Sequence, residues 1–429
     1  MIAEPRSEQD EFQALMEQFY VEVSLKDSLK PMRAKAWERF QLLGLPSRRH
    51  EQFRYLKMRH LYSQVYSLTH QEIVPLLQPH ILSDCDYLVL LNGVFRPDLS
   101  HLPEKLLATN LDDASRMYSS FLTHQWSQSL KDEQDAFAAL NAALHEGGVF
   151  LYVPPKTVCE TPIQIINVIA GSDEKELIFP RLHAYFGNCS ELSLAWTTLG
   201  IRGSGYFVNQ VCEFTLEDDA HVRWTQSTCD FSSDVWLLDA LRVTLKRNSV
   251  FHAVNYTEGA FTVRNDYRAI LAGEGGEVSL SGAWMLDEKH EAHTHVLIDH
   301  QAPSCRSNQL YKGVLIDLAR SSFEGKIYVQ RQAQKTLAYQ LNNNLLLSDR
   351  ANADSKPNLE IFADDVKASH GATVGQLDEE QMFYLRTRGF TYEQARNILV
   401  YAYVKEVLDL IKIPSLLQML LKRTERFLA

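Results

Sequence analysis

Apolar residues follow three rhythms along this chain, and the rhythm changes twice. Over residues 8–60 they recur at helical spacing. QALMEQFYVEVSL predicts one amphipathic helix, and MRAKAWERFQLLGLP predicts a second that stops at Gly44 and Pro46. Residues 84–97 read as a hairpin, CDYLVLL and VFRP joined by Asn92-Gly93, a pair that tolerates the left-handed backbone of a tight turn. DAFAALNAALHE then predicts a helix ended by Gly147 and Gly148. Residues 1–148 thus form a mainly helical region with a short hairpin.

From 149 to 376 the period shortens to two. IQIINVI, ELSLAWTTL, HVRWTQSTC, EVSLSGAWML, KIYVQ and TLAYQL alternate and favour branched or aromatic residues. Pro303 is the single proline between 181 and 356, as continuous ladders require, because proline cannot donate to them. No helical pattern intervenes, which argues against βαβ units. The pattern alone leaves a sandwich, barrel, propeller or β-helix open, and no clean repeat emerges. QLNNNLLLS fits either an asparagine ladder at stacked corners or an ordinary loop.

Residues 377–429 return to helical spacing. Asp378 with Gln381, and Thr391 with Gln394, are capping patterns, and Gly389 separates the two helices. Ala395, Ile398, Leu399, Ala402, Tyr403 and Leu410 are expected to form the buried face of the second helix, and Pro414 opens a third. The tail reads either as a compact cap or as a surface that docks a partner.

Composition narrows the function. The 429 residues are 45% hydrophobic with net charge −11, enough for a sizeable core and unsuited to a nucleic-acid backbone. The opening MIAEPRSEQDEF resembles neither a secretory nor a transit signal, and no apolar run approaches a membrane span, so a cytoplasmic protein is expected. Cysteines at 85, 159, 189, 212, 229 and 305 form no C-x-x-C pair and read mostly as small buried hydrophobes.

Motifs for nucleotide binding, a serine nucleophile elbow and the zinc motif H-E-x-x-H are all missing, and GIRGSG at 200–205 reads as a turn between strands. In KHEAHTHVLIDH, His293 and His295 share a strand face with Glu291 next to them. A polar strand face is favoured over a metal site. His370, before Gly371 at the end of the β region, is a second candidate ligand through its neutral imidazole.

The stretches HQAPSCRSNQLYKGVL, FEGKIYVQRQAQKTLAYQLNNNLLLS and KPNLEIFADDVKASHGATVGQLDEEQMFYLRTRG closely resemble the C-terminal half of the SufB/SufD family of iron–sulfur cluster assembly scaffolds. HGATVGQLDEEQMFYLRTRG leans to the SufD side, as do GLPSRRHEQFRY and FAALNAALHEGGVFLYVPPKTVCETPIQI. The resemblance implies a right-handed parallel β-helix core over 149–376 with helical ends. It implies a scaffold subunit that is not itself an enzyme. The subunit pairs with a SufB-like protein and docks a SufC-like ABC ATPase, which hydrolyses the ATP. His370 falls on the family's histidine at the SufB interface, where a transient iron–sulfur cluster forms. The docking region implied for SufC includes Gln376, Asp378, Glu379, Phe383, Tyr384, Arg386 and Arg388. The complex is also implied to bind reduced flavin, with no residue indicated here.

Two departures from the family pattern stand out. Ala368 replaces the cysteine of K-C-S-H-G-A-T, leaving His370 as the ligand expected from this segment, and Phe53 replaces a tryptophan, a change expected to affect packing. Two other readings compete. A β-helical carbohydrate-active enzyme would need paired carboxylates. A homodimeric interaction protein would pair through a free β edge.

Overall fold

A computed structural model gives the architecture and describes residues 7–24, 29–68, 74–171, 174–201, 205–229, 231 and 234–428. The turn expected at GIRGSG lies largely outside these residues.

Six helices precede the main β stack: α1 (Glu8–Ser24), α2 (Lys30–Leu43), α3 (Met58–Tyr62), α4 (Leu111–Met117), α5 (Ser119–Asp132) and α6 (Ala136–Leu144). In α1, Phe12, Met16, Phe19 and Val23 make one buried stripe. Gly44 closes α2 at φ 68°, and Asp135 caps α6 by accepting from the Phe137 N–H. The expected hairpin forms between β1 (Asp86–Leu91) and β2 (Val94–Phe95), with Asn92 and Gly93 both left-handed. It is also built into the stack, because β1 pairs in parallel with a strand from the next coil.

β3 (Leu107–Asn110), β4 (Val149–Val153), β5 (Ile163–Ala170), β6 (Glu176–Ile178) and β7 (Arg181–Phe186) start the coils. Each later coil adds one strand to each of two sheets. These are β8 (Glu191–Ile201) and β9 (Tyr206–Leu216), β10 (His221–Thr228) and β11 (Trp236–Leu245), β12 (Val250–Glu258) and β13 (Thr262–Leu271), then β14 (Glu277–Leu286) and β15 (Glu291–His300). Next come β16 (Arg306–Leu315) and β17 (Arg320–Val329), β18 (Thr336–Leu346) and β19 (Asn352–Ile361), and finally β20 (Val366–Gly375). The even-numbered strands from β8 stack in parallel in the first sheet, the odd-numbered ones from β7 in the second. The result is a β-solenoid of about eight coils.

Alternation divides every strand into an inward and an outward row. The inward rows fill the lumen with Leu194, Trp196, Phe214, Trp224, Phe251 and their neighbours. Outward rows of the early coils are also buried. Helices α1, α2 and α6 pack Phe12, Phe40 and Phe137 onto Phe207, Trp236 and Leu238 of the second sheet. Three C-terminal helices follow: α7 (Glu379–Thr387), α8 (Tyr392–Leu408) and α9 (Pro414–Leu428). The last two cover the first sheet at Val254, Tyr256, Met285 and Val314. Strands covered on both faces read as continuous apolar runs, and β9 is buried along its whole length. By β18, where the cover ends, exposure alternates residue by residue.

The expected buried face of α8 needs correction. Ala395 is buried as expected, but the stripe continues through Val400, Val404, Val407 and Leu408, while Ile398 and Leu410 stay exposed. This helix is apolar on more than one side, and contact with the sheet chooses the valine side. The asparagine tract is neither corner nor loop. Asn342 and Asn344 point into the lumen from the middle of β18, and Asn343 points out.

Candidate functional site at the open end of the solenoid

Among the described residues, β19 and β20 have a paired neighbour on one side only. Both present ten residues with one edge free for pairing. In the last coil Val366 and Ala368 pack against Ile327, Val329 and Ala338, so their row faces inward. His370 belongs to the same row by alternation. No coil covers it, and it is exposed. Thr373, on the opposite row, donates to the Asn343 side chain at 2.8 Å and ties β20 to β18.

Beneath His370 the inward row becomes polar. His370 stands opposite Gln340, and Gln340 opposite Gln309. Gln340 Nε2 donates to Gln309 Oε1 at 3.0 Å. One coil deeper the same row is Leu280 and then Ala253, so the polar step is confined to the mouth. The sequence reading missed both glutamines. Gln340 sits in TLAYQL, which was recognised as a strand, whereas the strand holding Gln309 was not singled out, and which coil lies under which was not visible.

The chain leaves β20 directly for α7. Asp378 caps this helix by accepting from the Gln381 N–H at 2.9 Å, and Thr391 with Gln394 completes a capping box on α8. Gly389 takes φ 97° between the two helices. Gln376, Asp378, Glu379, Phe383, Tyr384, Arg386 and Arg388 are all exposed. Phe383 is 70% exposed and Tyr384 56%, and the Arg388 guanidinium lies 5.0 Å from the Tyr384 ring centroid. On α8, Lys312 from β16 is held under the helix by the Tyr403 carbonyl, the Tyr403 ring and Glu406.

The histidine-rich strand β15 lies elsewhere, on the outward row under the N-terminal helices. His293 Nδ1 meets Ser322 Oγ at 2.8 Å, with Glu291 on its other nitrogen at 3.5 Å. His295 Nδ1 meets Asp266 at 3.0 Å. Burial alone would raise the Asp266 pKa, but the Arg264 and Arg242 guanidiniums hold it well below the usual range. These histidines therefore belong to a charged seam that joins helices to sheet. Phe53 is part of that seam, with the Arg264 guanidinium 4.1 Å from its ring centroid. Its role thus exceeds the packing expected from sequence. Among the described residues, no group of three or more His, Cys, Asp or Glu side chains is placed to hold a metal ion. The lumen keeps Cys212 and Cys305 as small buried groups whose pKa burial raises, while Cys189 lies exposed at a corner.

Two mainly parallel sheets wound into a solenoid with helical covers place the chain in the β-solenoid class. The chain belongs to the SufBD family. Residues 168–403 match the SufBD core domain of SUF system FeS cluster assembly, and residues 8–165 match the SufBD protein N-terminal region. An iron–sulfur cluster assembly SufBD family protein of Synechocystis is 29% identical over 340 residues, covering 77% of this chain and 75% of the relative. The iron–sulfur cluster assembly protein SufD of Escherichia coli is 26% identical over 389 residues, covering 89% and 88%. A SufBD family protein of Mycobacterium leprae is 33% identical over 275 residues, covering 62% and 68%. No helix among the described residues is long and apolar enough to cross a membrane.

Proposed function

We propose that this chain is a SufD-type scaffold subunit that pairs its open solenoid end with a SufB-like protein and docks a SufC-like ABC ATPase on α7. The observation that carries this reading is the placement of His370. It stands exposed on the inward row of β20, one of the two strands with a free edge. A second solenoid added at those edges would enclose it. One imidazole cannot hold a cluster, but it can supply one ligand of a site shared across an interface. The nascent iron–sulfur species is then substrate, carried and passed on. ATP hydrolysis falls to the partner, and this chain acts as scaffold.

Residues 377–429 form the docking unit in this reading, 149–376 the main solenoid, and 1–148 a mainly helical region that covers it and adds β1–β3 to its first coils. Phe383 and Tyr384 supply the exposed aromatic anchors that interface cores favour. Co-expression with the SufB-like and SufC-like proteins of the same genome, followed by purification and mass determination, tests the assembly. One stable complex containing all three is the expected result. Recovery of this chain alone, as monomer or homodimer, would remove the partner assignments. In the complex, His370→Ala is expected to abolish cluster formation while leaving assembly intact. Full activity of that variant would remove the ligand role. Phe383→Ala with Tyr384→Ala is expected to release the ATPase and leave the SufB-like partner bound.

A further inference from the structure

We infer that Gln340 is a positioning residue for His370, fixing which imidazole nitrogen carries the proton and which is free to bind iron. The inference rests on the ligand role proposed above for His370. It begins from the glutamine pair in the lumen. Gln340 is 3% exposed, and its amide has two ends with different fates. Nε2 is committed to Gln309 Oε1 at 3.0 Å. Oε1 is buried with no hydrogen-bond partner among the described residues. A buried amide oxygen without a donor costs about 1–3 kcal/mol, so the arrangement calls for one.

In this inference the donor comes from the next coil: the two side chains make no hydrogen bond in the structure, and a turn of the His370 ring would form one. His370 is the register partner of Gln340 and shares its inward row. Its ring is exposed and turns about its own side-chain bonds. The amide is already held in place from two directions. Gln309 fixes it from below, and Gly325 makes room for it across the lumen. A Cβ at Gly325 would lie 1.8 Å from Gln340 Nε2. A rigid acceptor at the base of an exposed imidazole takes one ring N–H and leaves the other nitrogen deprotonated and pointing outward. Histidines that bind metals are commonly prepared this way, through a carbonyl on the second nitrogen, and losing that carbonyl typically weakens metal binding 10–100-fold. No carboxylate is needed, so the neutral cradle adds no charge to an anionic cluster.

The test uses two readouts on the full-length chain. Nitrogen-15 spectra of the histidine rings, with His370→Ala to assign the signal, report the tautomer. Iron retained by the co-purified three-protein complex after exposure to Fe2+ reports the site. Gln340→Leu is expected to turn one dominant His370 tautomer into a mixture and to lower iron retention about 10-fold or more. Gln340→Glu keeps an acceptor, with the Gln309 amide turning to donate, and is expected to restore the single tautomer. It also serves as the folded control if the leucine variant is unstable. An unchanged tautomer in Gln340→Leu overturns the inference, even if iron falls, because the loss then comes from packing. Unchanged iron in His370→Ala with a tautomer change in Gln340→Leu would instead overturn the ligand reading and leave the positioning intact.

Discussion

Arg264 of β13 and Asp135 of the turn before α6 meet at 2.5 Å, each side chain only 2% exposed. The same guanidinium reaches Asp266 at 2.7 Å, and its neighbour Arg242 pairs with both Glu133 and Asp266. Two acids of one short helical connection thus enter a buried charge seam on the sheet. Removing one member leaves an uncompensated buried charge, which costs about 3–5 kcal/mol. Arg264→Ala and Asp135→Ala are each expected to destabilise the chain by about that amount in urea denaturation. Combined, they should cost clearly less than their sum, because the second change removes a charge that the first has orphaned. Additive costs would show that the pair is not coupled. The seam also gives the histidine-rich strand its role, since His295 contributes to the same Asp266.

Corner geometry yields a second prediction. One set of corners holds a left-handed residue in successive coils: Lys156, Cys189, Asp219, Asn248, Gly275, Ser304 and Lys335. Each donates its N–H to a carbonyl in the corresponding corner one coil on, from Lys156 to Asn188 through to Lys335 to Asp365. Left-handed backbone costs a side-chain-bearing residue roughly 1–2 kcal/mol relative to glycine. Lys335 is exposed, and among the described residues its side chain makes no hydrogen bond or ion pair. Lys335→Gly is therefore expected to raise the stability by about 1 kcal/mol, partly offset by the added freedom of the unfolded chain. A drop in melting temperature would contradict this.

Those corners explain why the repeat was illegible. The same backbone conformation is filled by six different residue types, so no motif recurs. Coil length also drifts. From β8 onward, the separation of register partners runs from 26 residues, Trp236 to Thr262, to 32, Arg320 to Asn352. Strands, hairpin and helix caps were legible because each depends on local chemistry: Asn92-Gly93, Asp378, and Thr391 with Gln394. Stacking depends on which strand lies under which, and that hid the Gln309–Gln340–His370 row. The face of α8 was misread for a related reason. Its sequence offers more than one apolar side, and only the sheet beneath selects the stripe from Ala395 to Leu408.

Acidity inside the lumen gives a third expectation. Asp239 is 1% exposed and accepts from Gln210, Gln226 and Tyr267, all neutral donors. Burial pushes its pKa up to about 6 from an ordinary 3.8. Below the ordinary value the acid is protonated both folded and unfolded, and its contribution is neutral. As pH rises from about 4 through about 6, the unfolded state ionises first and stability is lost. The shift of about two units amounts to about 3 kcal/mol. His300 runs the other way. Burial pushes its pKa down to about 4 from 6.5, so its stability is full above 6.5 and is lost as pH falls through 4. The two offset each other in the natural chain. Asp239→Asn, with Gln210 turning its unpartnered Oε1 to accept, is expected to gain up to about 3 kcal/mol on the natural chain between pH 4 and 7. Denaturation curves at both pH values check this, and a difference that does not vary with pH would refute it.

The lumen near the mouth also makes a steric prediction at Gly313. A Cβ there would lie 2.2 Å from Trp284 Nε1 and 2.3 Å from Asn344 Oδ1. Asn344 is already engaged, donating to Asn342 Oδ1 at 2.9 Å, so it yields only by breaking that bond. Trp284 is 2% exposed and packs beside Tyr311 in a tilted pair, with ring centroids 6.2 Å apart. Neither neighbour can retreat into open space. Forcing one extra carbon into such a site typically costs about 1–3 kcal/mol. Gly313→Ala is thus expected to lower stability by that amount and to change the near-ultraviolet circular dichroism of the indole. Its effect should reach the mouth, because Asn344, Asn342 and Gln340 lie on one inward row of β18. If Gly313→Ala shifts the Trp284 signal while leaving the His370 ring spectrum untouched, the deeper packing and the orientation of His370 are separable. A shift in both would mean that the last two coils move as one unit.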